Sequence, residues 1–194
     1  MIAALILAAG ESKRMNDFPK ANLLIGDKTF LTTIVDVMHS AGINQVYVVL
    51  GKDADRIKKK NPNLDVTYVI NKEYKKGQLS SIQAVLEVIP RILDSLIIDL
   101  VDHPLIKVST VQSLIKARRT IKVPIIIPTY HEKRGHPVLF GREVFNQLME
   151  APMDIGARAV VWNNQDALHE IETEDIGIVV DINTPEDYTK WCEI

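Results

Sequence analysis

The sequence predicts an α/β sandwich around a mostly parallel sheet, and three observations carry that reading. Short apolar runs alternate with helical patterns along all 194 residues. The first run, Ile2 to Leu7, is continuously apolar, as in a strand buried on both faces. Polar segments follow several of the runs, where the strands of such a sheet present ligand-binding loops.

The elements follow in order. Thr29 to Ala41 carries Phe30, Leu31, Ile34, Val37, Met38 and Ala41 as a helical stripe and stops at Gly42. Gln45 to Leu50 is a second strand. Asp53 to Lys60 is a short polar helix ahead of Asn61-Pro62, and Val66 to Ile70 is a third strand. Leu79 to Leu93 puts Leu79, Ile82, Leu86, Ile89 and Leu93 on one helical face, with Ser80-Ser81-Ile82-Gln83 as a capping box. Ser95 to Val101 is a fourth strand, ending in Asp102-His103-Pro104. A helix runs from Ser109 to about Ile121, and Val123 to Ile127 is a fifth strand. A polar loop spans Thr129 to His136, before Pro137-Val138-Leu139-Phe140. Helices follow at Arg142 to Met149 and Ala157 to Asn163. Ala167 to Ile171 and Ile178 to Ile182 complete the strands. Thr184-Pro185 opens a last helix, with Thr at the cap and Pro in the first turn.

Length and composition bound the function. One domain spanning residues 1–194 is expected, and at this size folding buries roughly 70% of the unfolded surface. Hydrophobic residues are 46% and charged residues 25%, values of a globular chain. Lys and Arg total 23 against 25 Asp and Glu, a net charge of -2. Such a balance does not suit coating nucleic acid or an anionic membrane. The short clusters Lys58 to Lys60, Lys75-Lys76 and Arg118-Arg119 read as solvated surface. One cysteine, Cys192, rules out an internal disulfide and a Cys-cluster zinc site, and fits a cytoplasmic location. The apolar start, Met1 to Ala9, lacks a basic region and runs into Gly10-Glu11-Ser12-Lys13-Arg14, unlike a secretory leader. No apolar run approaches a membrane span.

Four features follow apolar runs. Leu7-Ala8-Ala9-Gly10-Glu11-Ser12-Lys13-Arg14-Met15, with Pro19-Lys20 beyond, combines small residues and cations. Backbone amides in such a turn bind phosphate oxygens, although a plain strand-to-helix turn has the same look. It is neither a Walker loop nor a dinucleotide fingerprint. Asp102 suits a magnesium ligand beside phosphate, or the cap of the next turn. Gly77-Gln78-Leu79-Ser80-Ser81 lets a base or ribose approach the backbone, or simply caps a helix. Thr184 to Asp187 is explained by capping. Asp181, at the end of an apolar run, needs a partner or a metal and could share one cation with Asp102. Two further segments, Lys133-Arg134-Gly135-His136-Pro137 and Asp154-Ile155-Gly156-Ala157-Arg158, read as substrate-side loops or ordinary turns. The five histidines show no metal-binding spacing, and no nucleophile elbow is present.

Together and in order, these segments resemble the MobA-like nucleotidyltransferases, nearest the molybdenum cofactor cytidylyltransferase branch. The first loop with Lys20 is the signature of the wider superfamily, and the resemblance runs from Ile2 to about Tyr188. It implies a three-layer Rossmann-like fold with a mixed sheet. It implies that Leu7, Ala8, Ala9, Gly10, Glu11 and Ser12, with Arg14 and Lys20, hold a triphosphate. Gly77, Ser80 and Ser81 would lie by the base and ribose. Asp102 would bind Mg2+, with Asp181 as second carboxylate, and Lys20, Arg14 and Asp102 would carry catalysis. Gly135, His136, Pro137, Asp154, Gly156 and Arg158 would face a phosphorylated acceptor.

The chain also departs from the family pattern. Asn16-Asp17-Phe18 stands where a glycine is usual, and Asn183 stands where the last motif often has a second Asp. Ala9, in place of a second glycine, favours CTP over GTP. The implied acceptor is molybdopterin or its metal-bound form, and the implied partner protein is a molybdoenzyme. Two other readings stand beside it: a sugar- or alcohol-phosphate nucleotidyltransferase, and a non-catalytic nucleotide-binding module serving molybdoenzyme maturation.

Overall fold

The computed structural model describes residues 1–192. Strand β1 (Ile2–Ala8) lies inside an eight-stranded sheet. On one side it pairs in parallel with β4 (Val46–Leu50), which pairs in parallel with β5 (Thr67–Ile70). On the other side it pairs in parallel with β6 (Ser95–Leu100). Next comes β9 (Val138–Gly141), antiparallel to both β6 and β7 (Ile125–Tyr130). Strand β10 (Leu168–Glu172) closes that edge in parallel with β7, and the two-residue β8 (Lys133–Arg134) hangs from β7. A small hairpin, β2 (Leu24–Ile25) and β3 (Lys28–Thr29), stands apart. The sheet is therefore mixed and mostly parallel, as expected.

Period-two alternation in β1 divides the core into two layers. Ala4, Ile6 and Ala8 pack in one buried cluster with α1 (Phe30–Ser40), α2 (Ala54–Lys60) and α4 (Val108–Thr120). Ala3, Leu5 and Leu7 pack in the other with α3 (Gln78–Leu86), α5 (Phe145–Glu150) and α6 (Arg158–Asn163). Truncating a fully buried side chain such as Leu5 to Ala should cost about 2–5 kcal/mol. None of the described helices is long and apolar enough to cross a membrane.

The chain moves outward through β4 and β5, then returns to place β6 on the opposite side of β1. That reversal is a topological switch point, and it opens a crevice between the loops that follow β1 and β6. The signature loop and Asp102 both hang there.

Four expectations need correction. The run Ile178 to Ile182 is not a strand. A 3₁₀ turn (Ile176–Ile178) leads into extended but unladdered chain. Val180 and Ile182 mimic a strand because they enter a third apolar cluster with Phe30 and Cys192. The third long helix stops at Leu86 and never reaches Leu93, since Pro90 cannot continue it. Its capping box does not form: the cap is Gly77, at φ 100°, without a side-chain bond. The polar loop Thr129 to His136 is partly strand, because β7 extends to Tyr130 and folds back as β8. The last helix, α7 (Pro185–Cys192), begins as expected. Asp187 Oδ2 accepts from the Thr184 amide at 2.9 Å, and the Asp187 amide donates to Thr184 Oγ1 at 3.2 Å.

Candidate active site

The loop after β1 closes tightly on itself. Ser12 has φ 51° and starts a 3₁₀ turn, Lys13–Met15. Met15 is buried as the loop's anchor. Asn16 and Asp17 then take φ 51° and 56°, left-handed conformations that Asn and Asp tolerate better than most residues. They do the work of the missing glycine. Ser12 Oγ accepts from the Lys20 amide at 3.2 Å, tying the two ends of the loop. Space beside Gly10 is open, so its backbone stands clear for a ligand.

A cavity of about 340 Å³ lies over this loop. Of the residues singled out in the sequence, Leu7, Ala8, Ala9, Gly10, Glu11, Ser12, Arg14, Lys20, Gly77, Ser81 and Asp102 line it. Gln78 of the Gly77 to Ser81 segment lines it too, as do Tyr74, Ile57 and Ala21, which were not singled out there. Tyr74 comes close because Gly51 lacks a side chain. A Cβ on Gly51 would lie 2.6 Å from the Ala9 carbonyl and 2.8 Å from Tyr74 Cγ.

The charged centre joins three distant segments. Lys20 Nζ donates to Asp102 Oδ2 at 2.8 Å and to Asn183 Oδ1 at 2.6 Å. Arg14 Nη2 donates to the same Asn183 oxygen at 2.7 Å. Asn183 Nδ2 donates in turn to Asp181. The segment is laid down by two backbone contacts: the Ile182 amide donates to the Asp102 carbonyl at 2.8 Å, and the Asn183 amide to Asp187 Oδ2 at 3.0 Å. That amide holds the Asp187 carboxyl below its ordinary range, with the Thr184 hydroxyl and amide adding to the effect. Asn183 is the residue that sequence reasoning noticed as a departure but left out of the site. Its only signal was its place in the Asp-Ile-Asn motif.

Of the residues expected at the nucleotide and the metal, Ser80 and Asp181 do not line the cavity. Ser80 is buried; its Oγ sits 2.8 Å from the Gly77 carbonyl and accepts from Asn71 Nδ2 at 2.9 Å. It shapes the turn before α3 and does not line the cavity. Asp181 is exposed and meets the centre through the Asn183 amide, so the oxygen beside Asp102 comes from Asn183.

Among the substrate-side residues, Gly135 is a docking point. A Cβ there would lie 2.2 Å from the Ile178 carbonyl, and the His136 amide donates to that carbonyl at 2.9 Å. The His136-Pro137 bond is cis, and Pro137 is buried. This docking brings His136 against His103, with ring centroids 5.2 Å apart. Burial pushes the His136 imidazole down to about 4, and the neighbouring His103 adds to the shift. His103 is also lowered, chiefly by burial, so neutral rings back Asp102. Asp154 and Arg158 are exposed, Gly156 takes φ 76° in their loop, and none of the three lines the cavity.

A divalent metal suits the centre. Asp102 Oδ2 and Asn183 Oδ1 both contact one nitrogen, Lys20 Nζ, so two hard oxygens flank a cation-sized space. Among the described residues there is no group of three or more His, Cys, Asp or Glu able to hold an ion. A metal here would take few protein ligands and complete its shell with phosphate and water.

The sequence matches the family described as MobA-like NTP transferase domain over residues 4–169. The chain belongs to that family. Its mixed, mostly parallel sheet is the Rossmann-like fold of that group. The bifunctional protein GlmU of Legionella pneumophila is 31% identical over 191 residues, which is 97% of this chain but 37% of that protein. This MobA-like domain thus spans about a third of the length of that curated relative. The crystal structure of Rv0371c from Mycobacterium tuberculosis H37Rv superposes with TM-score 0.85 at 26% identity, covering 100% of this chain and 99% of that one. The same protein is also solved as a complex with manganese. Molybdopterin-guanine dinucleotide biosynthesis protein A from Archaeoglobus fulgidus shares the fold, with TM-score 0.73 at 16% identity over 100% of this chain and 97% of that one.

Proposed function

We propose that this domain transfers a nucleoside monophosphate, CMP from CTP, to a phosphorylated small molecule and releases pyrophosphate. The observation that carries the reading is the cavity itself: an amide-rich loop, two cations on one neutral oxygen, and one carboxylate, all at the switch point. Molybdopterin or its metal-bound form is the proposed acceptor, on the strength of the motif set and the family. A molybdoenzyme is the proposed recipient of the product, and the reading is of a cytoplasmic enzyme.

The chemistry needs little beyond position and charge. An oxygen of the acceptor phosphate attacks the α-phosphorus, forming a new P–O bond. The bond from the α-phosphorus to the bridging oxygen breaks, and its electron pair leaves with pyrophosphate. The acceptor phosphate is already ionised at neutral pH, so no strong base is required. Backbone amides from Ala9 to Ser12 hold the triphosphate. Lys20 and Arg14 exchange Asn183 for phosphate oxygens and offset the charge that builds as pyrophosphate departs. Asp102 and Asn183 would hold a magnesium ion, which would supply further positive charge to offset that of the phosphates. Tyr74 and Gln78 bound the base and ribose side.

Pyrophosphate release across four nucleotides, with and without molybdopterin, tests the reading. Release with CTP and molybdopterin is expected. Release only with a sugar or alcohol phosphate would transfer the proposal to that acceptor class, and nucleotide binding without release for any acceptor would make the chain a binding module.

A further inference from the structure

The oxygen pair at the centre already holds a cation, and that cation belongs to the protein. Lys20 Nζ touches both Asp102 Oδ2 and Asn183 Oδ1 at hydrogen-bond distance. The Lys20 side chain is 12% exposed and that of Asp102 21%, so solvent screens the contact incompletely. An ammonium and a divalent ion seek the same hard oxygens, and they repel each other strongly at such separations.

The local charge sharpens the conflict. Arg14 adds a second cation on the same Asn183 oxygen. Asn183 itself is neutral, and the Asp181 carboxylate is turned to the amide end of Asn183. A dication arriving alone therefore meets one carboxylate already engaged by lysine. A triphosphate reverses that balance, because its oxygens offer Lys20 and Arg14 better partners.

Resting on the nucleotidyltransferase reading for its metal, we propose that Lys20 is an internal competitor for the divalent cation. In the nucleotide-free chain its ammonium keeps the place between Asp102 and Asn183. Metal alone binds weakly, and metal and nucleotide enter with strong positive cooperativity. Lys20 thus has two posts: it guards the metal ligands before loading and neutralises phosphate charge afterwards.

Manganese alone, with no nucleotide, is the probe. Free Mn2+ is counted by electron paramagnetic resonance in titrations of the full chain. Lys20→Met and Lys20→Gln should each bind Mn2+ roughly tenfold more tightly than the wild type, the scale of a lost charge-assisted contact. Mn2+ should also raise the unfolding temperature of either variant more than that of the wild type, which shows that the variants are folded. Adding Asp102→Asn to Lys20→Met should abolish the gain. Equal or weaker Mn2+ binding by the folded Lys20 variants overturns the proposal, as does a gain that survives Asp102→Asn. No turnover enters this test. A chain that released no pyrophosphate would sink the transferase reading and leave the manganese result to be judged by itself.

Discussion

Asn183 Oδ1 lies 2.6 Å from the ammonium of Lys20, a residue 163 positions earlier in the chain. The contact joins the loop after the first strand to the segment before the last helix. It makes a neutral amide the shared partner of both loop cations, and the first prediction concerns that amide.

Asn183→Ala removes the oxygen that holds Lys20 and Arg14 and that, with Asp102, would hold the metal once phosphate takes the two cations. Turnover should fall by about a hundredfold, the cost of misplacing reacting groups by roughly an ångström. Nucleotide KM should change much less. Steady-state pyrophosphate release measures both, and wild-type turnover in a folded Asn183→Ala chain would remove the residue from the site.

Lys20→Ala should lower turnover by about 10²–10³, the usual loss when a preorganised charge partner is deleted. Far-ultraviolet circular dichroism should show an unchanged fold. A variant that still released pyrophosphate at the wild-type rate would take Lys20 out of the mechanism.

Gly51→Ala should weaken nucleotide binding while leaving the sheet intact. The added Cβ would press on the Ala9 carbonyl at 2.6 Å and on the Tyr74 ring at 2.8 Å. Both residues line the cavity, so its wall must shift. Calorimetric titration with CTP should show the loss, and unchanged affinity would mean that Tyr74 yields freely.

Asp99 predicts a pH effect on stability. It is fully buried on β6, and neither carboxylate oxygen accepts a well-formed hydrogen bond. Burial, helped by the charges of Asp102 and Asp175 and only partly offset by the Leu100 amide, raises its carboxyl well above the ordinary 3.8. Above 3.8 the unfolded chain loses this proton while the folded chain keeps it. The stability that the neutral acid contributes is therefore complete below 3.8 and declines as pH rises toward the folded value. Asp99→Asn should abolish this slope and raise stability at neutral pH. Urea midpoints from pH 4 to 8 test it, and parallel curves for the two chains would refute it.

The sheet was legible because its signals are local. Ile2 to Leu7 is apolar without interruption, and the sheet buries both its faces. Asp102 was legible because a carboxylate at the end of a buried run must find a partner or a metal. The direction of Ser80 was not legible, because a serine at a helix start looks the same in sequence whether it turns to a ligand or to the backbone. The carbonyls of Glu73 and Gly77, both within hydrogen-bond distance of its hydroxyl, turn Ser80 to the backbone. The strand reading around Asp181 failed because Val180 and Ile182 alternate like a strand, while strand pairing depends on partners far along the chain. Asn183 was missed for the same reason: its importance lies in Lys20 and Arg14, which no local pattern connects to it.

The bond from the Ile182 amide to the Asp102 carbonyl has a consequence for how the enzyme is born. During synthesis the phosphate loop, the strands of the sheet and Asp102 are all made before residues 181–187. An emerging chain owns the amides, the lysine and the carboxylate, but not the oxygen that keeps its cations in place. The charged centre is thus complete only once that segment has been made. A chain cut between Glu172 and Asp181 would carry every strand of the sheet and the phosphate loop, but not that oxygen.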